Sequence, residues 1–145
     1  MKKCVFITGA SSGIGYHLAV KCADEGHRVI LVARREDRIK ALEQQINQKH
    51  PDSAYSLLLD VSDYNAVKEA CHSLPDSWTD IDVIVNNAGL ALGMETIEKC
   101  KVEDWEKMID VNVKGLLYVT HTLIAQMIKK NRGHIINIGS ISSYE

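Results

Sequence analysis

Residues 5–15 are Val5-Phe6-Ile7-Thr8-Gly9-Ala10-Ser11-Ser12-Gly13-Ile14-Gly15, and this stretch decides the fold. Its first three residues form an apolar run typical of a buried strand, and apolar residues at helical spacing begin at Ile14. The glycines therefore stand at a strand-to-helix turn. Because glycine carries no Cβ and a helix start presents free N–H groups, we predict that this turn binds a phosphate group. The alternative is that the glycines are needed only for tight packing of the helix. The residues of the predicted phosphate-binding turn are Gly9, Ser11, Ser12, Gly13, Ile14 and Gly15.

Short apolar runs recur along the chain and alternate with stretches of helical spacing. They predict strands at 4–7, 29–33, 55–59, 81–85 and 135–138, most of them buried on both faces, and helices around 14–22, 39–46, 67–74 and 102–130. Parallel neighbouring strands need such long connections. We therefore expect an α/β fold with a doubly wound, mostly parallel sheet, and one domain over residues 1–145 without an internal boundary. The long last helix is apolar on more than one side and should be covered on two.

Composition narrows the functional classes. Of the 145 residues, 46% are hydrophobic and 25% charged, and the formal net charge is −2, so no basic field for nucleic acid is expected. A chain of this length folds without metal or disulfides, and we predict no metal site. The four dispersed cysteines favour a reducing compartment. The chain contains neither a signal-peptide pattern nor a membrane-length apolar run, so we expect a cytoplasmic protein without membrane contact.

The second predicted strand ends in Ala33-Arg34-Arg35. A dinucleotide fold selective for NAD places an acidic residue there to accept the ribose 2′-hydroxyl, and here Ala33 occupies that position. Two guanidinium groups bind a 2′-phosphate through forked hydrogen bonds, so Arg34 and Arg35 favour NADP. The alternative is that Arg34, Arg35 and Arg38 belong only to a solvated helix start. A methyltransferase with the same open α/β fold is a further alternative, but it would need an acidic residue for the ribose hydroxyls at the position where Ala33-Arg34-Arg35 stands.

Polar and small residues follow the next two predicted strands. Asp60-Val61 comes after the third strand and Asn86-Asn87-Ala88-Gly89 after the fourth. Open α/β sheets bind ligands at the carboxyl ends of their strands. We expect Asp60 to accept a hydrogen bond from the adenine amino group and Ala88-Gly89 to form a floor beneath a ribose or nicotinamide, with Asn87 completing the site. Capping or turn formation is the alternative for each residue alone.

Several of these motifs together resemble the short-chain dehydrogenase/reductase family. They are Thr-Gly-x-x-x-Gly-Ile-Gly at 8–15, Asp60-Val61, Asn-Asn-Ala-Gly at 86–89, Asn112 in the long helix and Ile-Ile-Asn-Ile-Gly-Ser at 135–140. The resemblance covers the whole chain. Residues 88–95, 102–106 and 133–140 are most similar to the NADP-dependent 3-hydroxy acid dehydrogenases, which act on serine, allo-threonine and related acids.

The resemblance implies a Rossmann-like fold and hydride transfer between NADP(H) and a secondary alcohol or carbonyl, such as a 3-hydroxy or 3-oxo acid. Ser140 matches the serine that hydrogen-bonds the substrate oxygen. Asn112 matches the helix asparagine that holds a water in the proton relay; a buried polar residue that only kinks the helix is the alternative. The resemblance also implies a homo-oligomer for the full-length family member.

The family's Tyr-x-x-x-Lys should follow Ser140, but the sequence given ends at Glu145. Tyr144 lies too close to Ser140 to replace that tyrosine. We therefore expect a chain without the family's C-terminal strands and helices, inactive by itself, with an uncovered apolar helix that promotes self-association and marginal stability. The alternative to an NADP-dependent oxidoreductase is a truncated, catalytically inactive nucleotide-binding or subunit-interaction module.

Overall fold

The structure is a computed structural model that describes residues 2–93 and 95–140, and its centre is a five-stranded parallel sheet. The strand order is β3-β2-β1-β4-β5, so the chain moves outward in one direction through β3 and then crosses to the other side of β1. This arrangement confirms the doubly wound α/β fold. The strands are β1 (Cys4–Thr8), β2 (Arg28–Ala33), β3 (Ala54–Leu58), β4 (Val83–Asn86) and β5 (His134–Asn137).

Helices connect the strands and cover both faces of the sheet, as parallel pairing requires. Asp63 begins one of them by accepting a hydrogen bond at 3.1 Å from the backbone N–H of Ala66. Gly26, with a φ of +82°, ends the first helix in the left-handed conformation. The helices are α1 (Gly13–Asp24), α2 (Glu36–Lys49), α3 (Tyr64–His72), α4 (Val102–Ile109) and α5 (Leu116–Lys129), with a π-helical segment (Asp110–Gly115) between α4 and α5 and a 3₁₀ turn (Asp76–Trp78) before β4.

The core lies in two layers, one on each face of the sheet. Alternate residues of β1 serve both, since Phe6 packs towards α3 and α5 while Ile7 packs towards α1 and α2. Both side chains are fully buried. Burial of one such side chain contributes about 1.5–3 kcal/mol, so β1 anchors both layers. The turn that follows β1 is therefore attached to a strand that is packed on both faces.

The prediction that most strands are buried on both faces is confirmed for β1, β2 and β4. It is wrong for β3 and β5, which contain exposed residues because each has only one neighbouring strand among the described residues. All five predicted strands lie within two residues of the observed ones.

The helix predicted over 102–130 is interrupted by the π-helical segment. The wider turn accompanies a close approach, because a Cβ on Gly115 would lie 2.7 Å from Cγ2 of Val61. The expectation that this helix is covered on two sides is wrong for the described residues, since Leu117 and Ile128 are exposed. No helix within the described ranges is long and apolar enough to cross a membrane.

Candidate functional site

A cleft of about 450 Å³ lies at the carboxyl ends of the strands, where β1 and β4 separate. This is the point at which the strand order reverses, and doubly wound sheets bind ligands there. The cleft brings together most of the residues predicted to hold the cofactor, although Gly13 and Gly15 are not part of its wall. Its lining consists of Gly9, Ser11, Ser12, Ile14, Val32, Ala33, Arg34, Arg35, Leu59, Asp60, Val61, Asn87, Ala88, Gly89 and Val111.

The glycine turn depends on glycine at two positions for different reasons. Gly9 has a φ of +68°, and a Cβ there would lie 2.9 Å from Cα of Ala88. A Cβ on Gly15 would lie 2.5 Å from the side-chain nitrogen of Asn87. The space that these side chains would fill is occupied by the segment after β4, so the turn and that segment pack directly on each other.

Thr8 and Asn87 tie the glycine turn to the end of β4. The hydroxyl of Thr8 accepts hydrogen bonds from the backbone N–H groups of Asn87 at 3.0 Å and Ala88 at 2.9 Å. In return, Nδ2 of Asn87 donates to the carbonyl oxygens of Thr8 at 2.9 Å and Gly9 at 3.3 Å. The Asn87 amide group therefore holds the shape of the turn. Thr8 was not among the predicted site residues, although it opens the glycine motif.

The two arginines after β2 have different partners. Nη2 of Arg35 donates to the hydroxyl oxygens of Ser11 at 2.9 Å and Ser12 at 2.8 Å, so its guanidinium group reaches across to the glycine turn. Nη1 of Arg34 lies 3.5 Å from Oδ2 of Asp60. Both arginines are exposed, and ion pairs at such positions contribute little to stability. Because both arginines line the cleft and are exposed, their positive charge is available to an anionic ligand there.

Asp60 is held from one side by Ser62. Its Oδ1 accepts a hydrogen bond from the backbone N–H of Ser62 at 3.0 Å and another from the Ser62 hydroxyl at 2.7 Å. Burial raises the pKa of Asp60, but the hydrogen bonds from Ser62 and the charge of Arg34 outweigh burial, and the pKa lies below its usual range. A carboxylate at neutral pH therefore lines the cleft. Ser62 was not predicted as a site residue.

Asn112 lies in the π-helical segment and is exposed, so the alternative given above, a buried polar residue, does not describe it. Its Oδ1 accepts from the backbone N–H of Leu90 at 2.9 Å, and its Nδ2 donates to the Leu90 carbonyl at 2.8 Å. It thereby fixes the segment that follows Gly89. Ser140 follows β5 and is exposed, and neither Asn112 nor Ser140 lines the cleft.

The spacing Tyr-x-x-x-Lys does occur in the sequence, from Tyr64 to Lys68 in α3. The ring of Tyr64 lies 5.1 Å from that of Tyr118, and neither Tyr64 nor Lys68 lines the cleft. Tyr64 therefore belongs to the packing of α3 on α5, and Lys68 is exposed. Tyr144, considered above as a substitute for the family's tyrosine, lies outside the described residues.

A doubly wound parallel sheet with a glycine turn at its switch point defines a Rossmann-like, nucleotide-binding type of fold. The sequence model of the short chain dehydrogenases matches residues 3–145. The NADP-dependent 3-hydroxy acid dehydrogenase YdfG of Salmonella typhi is 48% identical over 136 residues, which are 94% of this chain and 53% of that protein. The chain belongs to the short-chain dehydrogenase family.

Solved structures agree with this assignment. The crystal structure of serine dehydrogenase from Escherichia coli has a TM-score of 0.92 at 44% identity, over 98% of this chain and 64% of that one. The closed form of serine dehydrogenase complexed with NADP+ has a TM-score of 0.93 at 44% identity, over 98% of this chain and 56% of that one. The chain spans about half the length of the curated relatives it matches, as the 53% coverage shows.

Proposed function

We propose that residues 1–145 form the NADP(H)-binding domain of a short-chain NADP-dependent oxidoreductase. The observation that carries this proposal is the placement of Arg34 and Arg35 around the cleft, with Ala33 where an acidic residue would select NAD. Arg35 faces two serine hydroxyls of the glycine turn, 2.9 and 2.8 Å away. A phosphate on the adenine ribose would find a guanidinium group and hydroxyl donors converging on one place.

The residues of the cleft fit a dinucleotide. The glycine turn has no room for a Cβ on Gly9 or Gly15, which would lie 2.9 Å from Cα of Ala88 and 2.5 Å from Nδ2 of Asn87, and this close packing leaves Gly9, Ser11 and Ser12 at the wall of the cleft. The start of α1 supplies backbone N–H groups and a favourable dipole for a pyrophosphate, and Ser12 at its N-cap does not use its hydroxyl to cap the helix. Asp60 offers an acceptor for the adenine amino group, and Ala88 and Gly89 provide the small floor expected beneath a ribose or nicotinamide.

When bound, NADPH supplies the hydride. We infer that the whole protein transfers it between NADP(H) and a 3-hydroxy or 3-oxo acid, or a similar secondary alcohol or carbonyl; the activities named for the relatives support this class of substrate. In this proposal Ser140 donates a hydrogen bond to the substrate oxygen. Asn112 holds the segment after Gly89 through its two bonds to Leu90, and it carries the water of the proton relay.

Binding of NADPH tests the proposal, because the chain spans about half the length of its curated relatives. We expect the fluorescence of the dihydronicotinamide to change on titration with the chain. Replacing both arginines, Arg34→Ala/Arg35→Ala, should weaken NADPH binding at least about tenfold, because one charge-assisted hydrogen bond contributes about 1.5–3 kcal/mol net and about 1.4 kcal/mol corresponds to tenfold. The same variant should leave NADH binding within about threefold.

Arg38→Ala is the matched control. Arg38 is exposed on α2 and does not line the cleft, so its loss removes one arginine charge without removing a proposed contact. NADPH affinity should change little in this variant. If Arg38→Ala weakens binding as much as the double variant does, the general charge of the surface explains the affinity and the proposed 2′-phosphate site is wrong.

A second role, as a subunit-interaction module, is favoured by one surface. Ile109, Val113 and Leu117 are spaced four residues apart and are 51%, 51% and 56% exposed, so they form an apolar stripe on one side of the helix. We infer that this stripe contacts a second copy in a homo-oligomer. Sedimentation equilibrium should show association that Val113→Lys/Leu117→Lys abolishes, whereas Leu58→Lys, at a residue of 53% exposure on β3, leaves it intact. Equal effects of both changes would contradict this interface.

A further inference from the structure

Ser62 lies between β3 and α3 and binds Asp60 through two donors. Its backbone N–H and its hydroxyl both reach the same carboxylate oxygen, Oδ1, at 3.0 and 2.7 Å. The hydroxyl contact is short, as expected for a bond to a charged acceptor. Ser62 is partly buried and does not line the cleft, whereas Asp60 does. Ser62 therefore acts on the cleft only through Asp60.

The two oxygens of Asp60 have separate surroundings. Oδ1 receives both bonds from Ser62, while Oδ2 lies 3.5 Å from Nη1 of Arg34. A carboxylate oxygen has lone pairs for two hydrogen bonds, so Oδ1 is fully used. Oδ2 also has two lone pairs, and its ion-pair partner Arg34 uses at most one of them, so Oδ2 can still accept a hydrogen bond from a ligand in the cleft. Because Ser62 holds Oδ1, it also sets the direction in which Oδ2 points.

We propose that Ser62 is a positioning residue that selects a 6-aminopurine by aiming Oδ2 of Asp60 at its amino group. The inference rests on the proposed function. An ionised carboxylate only accepts hydrogen bonds, so it pairs with the amino group of adenine and faces an acceptor if the purine carries a 6-oxo group. Without the Ser62 hydroxyl, the side chain of Asp60 turns more freely, and the preference for the amino group falls.

Two cofactors that differ at this position provide the test. NADPH carries adenine, whereas reduced nicotinamide hypoxanthine dinucleotide phosphate carries a purine with a 6-oxo group in place of the amino group and a hydrogen on N1; the rest of the molecule is the same. We expect the unmodified chain to bind NADPH at least about fivefold more tightly, because the 6-oxo group cannot donate to the carboxylate and the bound purine keeps water from replacing the lost hydrogen bond. Ser62→Ala should reduce this preference about threefold or more, and Ser62→Thr, which keeps the hydroxyl, should restore it.

Ser73→Ala is the control for removal of a serine hydroxyl outside the cleft, since Ser73 donates to the carbonyl of Ala70 at 3.1 Å on α3. Circular dichroism melting of every variant checks its fold. Should Ser62→Ala be unfolded, Ser62→Gly provides a second deletion of the hydroxyl, and Ser62→Thr must still keep the preference.

A purely structural role of Ser62 would weaken both cofactors equally in Ser62→Ala and leave the preference unchanged, which would overturn the inference. Equal binding of the two cofactors by the unmodified chain would also overturn it, while the NADP(H) site would stand. Failure of the unmodified chain to bind either cofactor would overturn the proposed function itself. The ratio of affinities therefore tests Ser62, and the affinity of the unmodified chain tests the site.

Discussion

Gly9 and Gly13 stand in the same turn with similar backbone conformations, and comparing their alanine variants isolates the effect of close packing. Their φ angles are +68° and +56°. An L side chain in the left-handed region costs about 1–2 kcal/mol, so both variants should carry this cost. Nothing lies within 4 Å of a Cβ placed on Gly13, whereas a Cβ on Gly9 would lie 2.9 Å from Cα of Ala88. Crowding of a packed interior adds about 1–3 kcal/mol.

We therefore expect Gly9→Ala to lower the free energy of unfolding by about 2–5 kcal/mol and Gly13→Ala by about 1–2 kcal/mol. Urea titration followed by far-ultraviolet circular dichroism measures both values. With a slope of about 1–3 kcal/mol per molar urea, the two midpoints should differ by roughly 1 M. If Gly9→Ala leaves no folded baseline while Gly13→Ala unfolds cooperatively, the order still holds. Equal midpoints would refute the argument that the segment after β4 packs directly on the turn.

Three further outcomes follow from other contacts. Gly115→Ala should weaken NADPH binding, because the new Cβ would lie 2.7 Å from Cγ2 of Val61 and would displace a residue that lines the cleft. Gly139→Ala is the control, since a Cβ there has nothing within 4 Å, and fluorescence titration compares the two variants. The hydrogen bond from Lys130 lowers the pKa of Asp80, so its stabilisation, less than about 1 kcal/mol, is present above about pH 4 and lost as pH falls through the lowered pKa. The difference in urea midpoint between the unmodified chain and Asp80→Asn should therefore be constant above about pH 5 and shrink in acid; a constant difference down to about pH 2 would contradict this. Burial raises the pKa of Cys4 and Cys71 to about 11, so Ellman's reagent at pH 8 should modify these two thiols only in denaturant. Peptide mapping that finds Cys4 or Cys71 modified in the native chain would contradict this.

Much of the fold was predictable because strands buried on both faces are continuous apolar runs. Val29 to Ala33 is such a run, and the observed strand extends it by one residue. The π-helical segment was not predictable from the pattern of apolar residues. It accompanies two contacts between distant parts of the chain, those of Gly115 with Val61 and of Asn112 with Leu90. Periodicity along one helix carries no information about such partners.

The convergence of strand-end residues on one cleft followed from parallel topology, which places all carboxyl ends at the same edge. The partners of individual polar groups did not follow. Arg35 reaches Ser11 and Ser12 only because β2 lies beside β1, and the sequence does not state the direction of its guanidinium group. The backbone bond from Ser62 to Asp60 could have been predicted, since aspartate side chains in turns commonly accept a hydrogen bond from the backbone N–H two residues on. The bond from the Ser62 hydroxyl to the same oxygen needed the structure.

The ratio of the dissociation constants for NADH and NADPH in the unmodified chain tests the central claim most directly, because the two cofactors differ only by the 2′-phosphate that Arg34 and Arg35 are proposed to bind. Two charge-assisted contacts should make NADPH bind at least about tenfold more tightly in low salt, with the advantage falling as salt screens the exposed guanidinium groups. A ratio near one, or tighter binding of NADH, would contradict the account.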